Sequence, residues 1–154
     1  TIYMSLKTKR MRKNRGTLRS KRSNKSTNFE QEIVVKFLVL LHTVKLHHWK
    51  THTYSVHMAT DTLYDELSGN IDKFVEVLLG KTGNRVNLTN VKSIPLYDYT
   101  SAGQLKNKML EYKSYLVGLD NNAFMKTMSN SDLYNIRDEI LSNLNQFLYR
   151  LTLQ

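Results

Sequence analysis

The sequence predicts an all-α fold, a four-helix bundle preceded by a disordered basic N-terminal arm. Three observations predict it. Composition changes abruptly at Thr27, four later segments carry apolar residues at helical spacing, and one long aperiodic stretch separates the second from the third. With 154 residues the chain has room for one domain with a proper core. The expected organisation is an arm over residues 1–27 and a helical domain over 28–154.

The arm is identified by charge. Lys7, Lys9, Arg10, Arg12, Lys13, Arg15, Arg19, Lys21, Arg22 and Lys25 are all cations, and the first acid is Glu30. Removing these ten from the 23 Lys and Arg leaves 13, which equals the 13 Asp and Glu. The domain is therefore neutral, and the net +10 belongs to the arm. A segment this polar, without apolar periodicity, cannot bury enough surface to offset its ordering entropy.

Thr27 and Glu30 then have the spacing of a capping box, where hydroxyl and carboxylate satisfy unpaired amides at a helix start. Phe29, Ile33, Phe37, Leu40 or Leu41, Val44 and His48 recur at helical spacing, so the first helix should span about Asn28 to Trp49. The second should run from Tyr54 to Leu79 with Gly80 as its left-handed stop, burying Tyr64, Leu67, Ile71, Val75 and Leu78. Residues 81–100, with Gly83 and Pro95, read as a long crossover loop. Ser101 and Gln104 cap a third helix that buries Leu105, Met109, Tyr112, Leu116 and Leu119. After a short turn at Ala123–Met128, Ser129 or Ser131 caps the last helix. Its stripe is Leu133, Ile136, Ile140, Leu144, Phe147 and Leu151.

Several function classes are excluded early. Without cysteine there is no disulfide framework and no thiolate metal site. No apolar run near the N-terminus is long enough to span a bilayer, and the basic start has no apolar stretch behind it, so a soluble protein is expected. Gly80-Lys81-Thr82 lacks the upstream glycine of a phosphate-binding loop, since Val75 stands there.

The histidines carry the chemistry. All five, His42, His47, His48, His52 and His57, fall between positions 42 and 57. Imidazole is the commonest metal ligand. On the second helix, taking His57 as zero, Asp61 lies near 40°, Asp72 near 60° and Glu76 near 100°. One imidazole and three carboxylates thus share a flank beside the apolar stripe, a donor set suited to iron(II) or manganese. The His57–Asp61 and Asp72–Glu76 pairs are centred roughly 22 Å apart along the axis. One centre cannot use both from one helix. Two copies packed antiparallel about a two-fold axis would bring the first pair of each to the second pair of the other, making two equivalent shared sites. Asp65, Glu66, Asp138 and Glu139 read as surface charges.

His48-Trp49, His57-x3-Asp61 and Asp72-x3-Glu76 together resemble the ferroxidase signature of the Dps family, DNA-binding proteins from starved cells. The resemblance covers most of residues 29–152 and is sharp over 48–76. It implies a ferritin-like four-helix bundle. It further implies that His48, His57 and Asp61 bind iron (Fe2+/Fe3+) with Asp72 and Glu76 of a partner chain, manganese or zinc being substitutes. The same five residues would be catalytic for iron(II) oxidation by peroxide or oxygen. Trp49 would lie beside the iron as an interface anchor or radical quencher. The implied assembly is a homo-oligomer, a two-fold dimer or a dodecameric shell, with no membrane partner. The chain departs from that pattern in a shorter connection between His48 and His57, which leaves His47 as an alternative ligand. The 81–100 loop also lacks a clear counterpart of the family's small interface helix. The short spacing is similar to that of an uncharacterised ferritin-like family of large DNA viruses. The Glu-x-x-His motif of ordinary ferritins is absent.

The ten arm cations have three readings. As a DNA-binding tail they would neutralise phosphates without reading sequence. As clusters at Lys7–Lys13 and Arg19–Arg22 they resemble a nuclear localisation signal. As a packing arm they would serve inside a virion or another assembly. The expected location is accordingly cytoplasmic or nucleoid-associated, with virion or nucleus as alternatives. The competing function is non-catalytic, a bundle that presents a nucleic-acid-condensing arm. A third reading keeps the metal as structural glue in a dimer.

Overall fold

The computed structural model describes residues 16–127 and 129–153, and the side chains among them from Asn28 onward. Four α-helices dominate: α1 (Gly16–Lys50), α2 (Tyr54–Thr82), α3 (Ala102–Gly118) and α4 (Ser131–Arg150). Short 3₁₀ turns at Leu119–Asn121 and Met125–Thr127 join the last two. There is no strand among the described residues.

The connections set the topology. Thr51, His52 and Thr53 alone join α1 to α2, so these helices run antiparallel. The next connection does the opposite. Asn84 donates to the buried Glu30 carboxylate at 3.1 Å, and Gln31 donates to the Asn87 carbonyl at 2.6 Å. Further along the same connection, Asp98 pairs with Lys50 at the far end of α1. The strap therefore climbs along α1 and starts α3 at the end where α2 also starts. The order is up, down, down, up, with α2 packed on both α1 and α4. Lys81 closes the opposite end by pairing with Asp132 at 2.9 Å in the first turn of α4.

The core lies between the helices. Ile33, Phe37, Leu40 and Val44 of α1 meet Leu63, Leu67, Phe74 and Leu78 of α2, all essentially inaccessible. Phe37 and Phe74 pack edge to face, centroids 5.4 Å apart. Leu105, Met109 and Leu116 of α3 and Leu133, Ile140, Leu144 and Phe147 of α4 complete it. Fully burying each such side chain stabilises by roughly 1.5–3 kcal/mol.

Several expectations are corrected. The helix begins at Gly16 rather than Asn28, because Thr27 and Glu30 do not start one. Glu30 is buried against Asn84, and extending an already nucleated helix backwards costs far less than nucleating one. Residues 16–27 of the expected disordered arm are thus helical. Lys7, Lys9, Arg10, Arg12, Lys13 and Arg15 lie outside the described residues. The apolar stripe of α2 is centred on Leu63, Leu67, Phe74 and Leu78, leaving Tyr64 and Val75 half-buried at its edge. Asn130, not Ser129 or Ser131, precedes α4, and its side-chain amide donates to the Met125 carbonyl at 2.6 Å. The capping box of Ser101 and Gln104 is present as expected. No helix among the described residues is long and apolar enough to cross a membrane.

The stop of α2 is also displaced. Gly80 is helical, and Gly83 at φ 71° is the left-handed residue, its N–H reaching the Leu79 carbonyl at 2.8 Å. A Cβ at Gly80 would meet nothing within 4 Å. Gly80→Ala should therefore stabilise the protein by roughly 0.5–1 kcal/mol. Gly83→Ala should destabilise it by roughly 1–2 kcal/mol. Urea unfolding of the two variants measures both, and equal signs would contradict this helix end.

Candidate metal centre

The last turn of α1 and the first turns of α2 hold the centre. His47 and His48 are adjacent and so project about 100° apart. His48 faces α2, whereas His47 turns towards Tyr99 on the strap that leads into α3. The tight three-residue turn brings His57 back beside His48. Their rings stack with centroids 3.9 Å apart and 21° between planes.

Each ring is held by the other residue's backbone. His48 Nδ1 lies 3.1 Å from the His57 carbonyl, and His57 Nδ1 lies 3.1 Å from the His48 carbonyl. A carbonyl only accepts, so both Nδ1 atoms must carry the proton. Thr60 reinforces this from the core side. Its hydroxyl points its single proton at the Val56 and His57 carbonyls, at 2.8 and 2.9 Å, and offers a lone pair to His48 Nδ1 at 3.3 Å. In the neutral rings both Nε2 atoms are thereby left with a lone pair. A hydrogen bond from the other ring nitrogen to a carbonyl is the usual device that orients a metal-binding histidine.

Asp61 completes the group, one turn beyond His57. Its Oδ1 stands 3.6 Å from His48 Nε2. That is too long for a hydrogen bond. It is close to the roughly 3.0–3.4 Å separating two donors that share a cation at bonds near 2.1 Å. His48 is buried, His57 half-buried, and the Asp61 side chain is 47% exposed, so the group opens to the surface. Lys45 sits over the Tyr64 ring at 4.6 Å with its ammonium 3.8 Å from the same Asp61 oxygen.

The structure sets His48 beside His57 and beside Asp61, and it does not bring Asp72 and Glu76 to them. Those two carboxylates are exposed further down α2, on the same flank. Among the described residues no three His, Asp or Glu side chains of one chain converge on a common point. Trp49 is 71% exposed, so it is not a core residue of the single chain. Tyr54 and Met58 are exposed as well. His42 and His52 are exposed and stand apart from it. Thr60 and Lys45 were not singled out by sequence. Thr60 was findable, because it lies one turn after His57 on the side facing the core.

A family model described as Family of unknown function (DUF5856) matches residues 48–151, more than half of the chain. The chain belongs to that family. No curated protein and no solved structure matches it. The DUF5856 segment begins at His48 and holds all five candidate residues, while the basic arm and most of α1 fall outside it.

In this DUF5856 chain Lys45 and a bound cation would compete for Asp61. At about 4 Å, unit charges repel by roughly 1 kcal/mol even in a water-like medium. Lys45→Gln should therefore tighten divalent-cation binding about fivefold or more, measured by titrating manganese(II) into metal-free protein. Unchanged or weaker binding would separate Asp61 from the cation.

Proposed function

We propose that this protein is a Dps-like iron-binding ferroxidase with a ferritin-like bundle, whose metal sites are shared between two chains. His48, His57 and Asp61 of one chain would bind iron(II) with Asp72 and Glu76 of a second. Iron is the substrate here, with manganese or zinc able to take its place. The reciprocal histidine pair carries the reading. Two imidazoles whose Nδ1 protons are committed to backbone carbonyls leave both Nε2 lone pairs for a ligand, and a carboxylate stands at cation-sharing distance from one of them.

The flank of α2 supports the two-chain arrangement. Gly69 lies between the two donor pairs, three residues before Asp72, exposed, with no atom within 4 Å of where its Cβ would be. A mid-helix glycine costs roughly 1 kcal/mol against alanine, and nothing within the single chain explains it. A groove of about 420 Å³ runs beside it between α1 and α2, lined by Val34, Leu38, Leu41 and Val75 among others. A second α2, antiparallel across this face, would find room at Gly69 and apolar contact in the groove.

The chemistry asked of the site is modest. Two iron(II) ions each give one electron to one peroxide, the O–O bond breaks, and two protons complete two waters. The carboxylates stabilise the added charge on each iron, and the neutral imidazoles hold the ions at the interface. The basic residues 1–27 would bind DNA or another polyanion through phosphate neutralisation. That would keep the oxidation beside nucleic acid while denying radicals to it.

Metal-free protein loaded with iron(II) without oxygen, in high salt, should form ferric iron rapidly on adding peroxide. Asp61→Ala and Asp72→Ala should each lower the rate at least tenfold. Dissociating and reassembling the two variants together should restore about a quarter of the wild-type sites, because half the dimers are mixed and each keeps one intact site. No recovery would mean that the two carboxylates do not share a site across chains. Wild-type oxidation no faster than buffer would end the ferroxidase reading.

A further inference from the structure

Two apolar features of the described chain stand open to solvent. One is the groove beside Gly69, whose walls include Val34, Leu38, Leu41 and Val75, each half-buried. The other is a pair of side chains one turn apart at the start of α2, Tyr54 at 77% and Met58 at 45% exposure.

Helix geometry puts both features on one flank of α2. With His57 again at zero, Tyr54 lies at about 60° and Met58 at about 100°, in the sector of Asp61, Asp72 and Glu76. Towards the other end of the helix, Val75 lies at about 0° and Leu79 at about 40°, both half-buried. The flank is therefore acidic along its length and apolar at each end.

A two-fold axis fixes which residues meet. Antiparallel α2 helices that set His57 against Glu76 and Asp61 against Asp72 are centred between Glu66 and Leu67. About that same centre, the position opposite Met58 is Val75 and the position opposite Tyr54 is Leu79. The metal donors alone set this register, and the apolar residues agree with it. Slipping the pairing by one turn puts Gly80 opposite His57 in one direction and Ser68 opposite Asp61 in the other, losing a donor pair each time. Phe37 packs on Phe74, so Val34 and Leu38 of α1 stand near the level of Val75. Met58 of a second chain would thus arrive where both walls of the groove are apolar.

We infer, on the shared-site reading just given, that Met58 and Tyr54 of a second copy of this chain anchor the pair. Met58 fills the groove at Val75, and Tyr54 covers Leu79 beyond it. An unbranched thioether adapts to an irregular groove, and a tyrosine ring buries apolar area while its hydroxyl stays at the wet rim. By symmetry each contact occurs twice, once on either side of the axis. Neither residue is a metal ligand, so the contact can be tested apart from the chemistry.

The chain has no cysteine, which leaves any introduced thiol without background. Met58→Cys and Val75→Cys are made singly and together in the full chain. Each is treated with a short bifunctional maleimide, without metal and with manganese(II). Within one chain the two positions are roughly 25 Å apart along α2, beyond the reagent, and so are two copies of either position across the axis. The double variant should therefore form covalent dimer at least tenfold faster than either single variant. Met58→Gln combined with Tyr54→Gln should keep the wild-type helix content by circular dichroism and weaken dimerisation at least tenfold in sedimentation equilibrium. No covalent dimer from the double variant in either condition would overturn the inference, as would equal yield from Met58→Cys alone. Cross-linking of the double variant in a protein that neither binds manganese nor oxidises iron would uphold the contact and end the metal reading instead. Recovery of oxidation on mixing Asp61→Ala with Asp72→Ala, without this cross-link, would keep the shared site and reject the contact.

Discussion

The strap over residues 83–101 is the constraint on which the rest of the molecule depends. It is tied to α1 at both ends, through Glu30 and Gln31 at one and Lys50 at the other. A short hairpin at this point would have sent α3 antiparallel to α2 and placed its N-terminus at the opposite end of the bundle. The crossing instead gathers the C-terminus of α1 and the N-termini of α2 and α3 at one end. Basic and imidazole side chains in the last turn of α1 suit the carbonyl end of that helix. The same groups then face two helix starts. The surroundings of His47, which lies against Tyr99, follow from that one connection.

At this end, adjacent histidines have different surroundings. His48 turns to α2 and enters a reciprocal pair whose hydrogen bonds fix its tautomer. His47, about 100° around the helix, turns to the strap and meets the Tyr99 backbone there. The turn between α1 and α2 has to be as short as it is for the first of these arrangements. With three residues between the helices, each histidine ring reaches the other residue's main chain. A longer turn would free His57 from the His48 carbonyl, and the proton on either ring would no longer be fixed by the backbone.

Much of the fold was legible in the sequence because helical periodicity and capping are local signals. The stripes of α3 and α4 and the capping box at Ser101 emerge as expected, since one face of each helix is apolar and the other is not. The start of α1 was misread because Thr27 and Glu30 imitate a cap. Glu30 is instead drawn inward by Asn84, which is distant in sequence. Gly80 reads as the stop because it directly follows the apolar Leu78-Leu79, whereas the left-handed backbone angle belongs to Gly83, beyond Lys81 and Thr82. In the candidate centre, the i, i+4 spacing of His57 and Asp61 and their nearness to His48 could be read directly. The ambiguity between His47 and His48 could not, because it depends on how tightly the α1–α2 turn closes. Lys45 escaped notice for a similar reason, since its ammonium reaches Asp61 only across the two helices.

The flank of α2 explains why the proposed centre ties assembly to metal. Asp61, Asp65, Asp72 and Glu76 all fall within about 60° of one another around the helix. Stacking two such flanks antiparallel sets carboxylates of one chain against those of the other, and like charges at contact distance are repulsive. The apolar groove beside Gly69 would favour that approach while the carboxylates oppose it. A divalent cation bridging His48, His57 and Asp61 to the opposing Asp72 and Glu76 reverses the sign of the electrostatic contribution. Under the proposed reading, metal binding and pairing of the chains are therefore two parts of one equilibrium. Each strengthens the other by the same factor, as linkage requires.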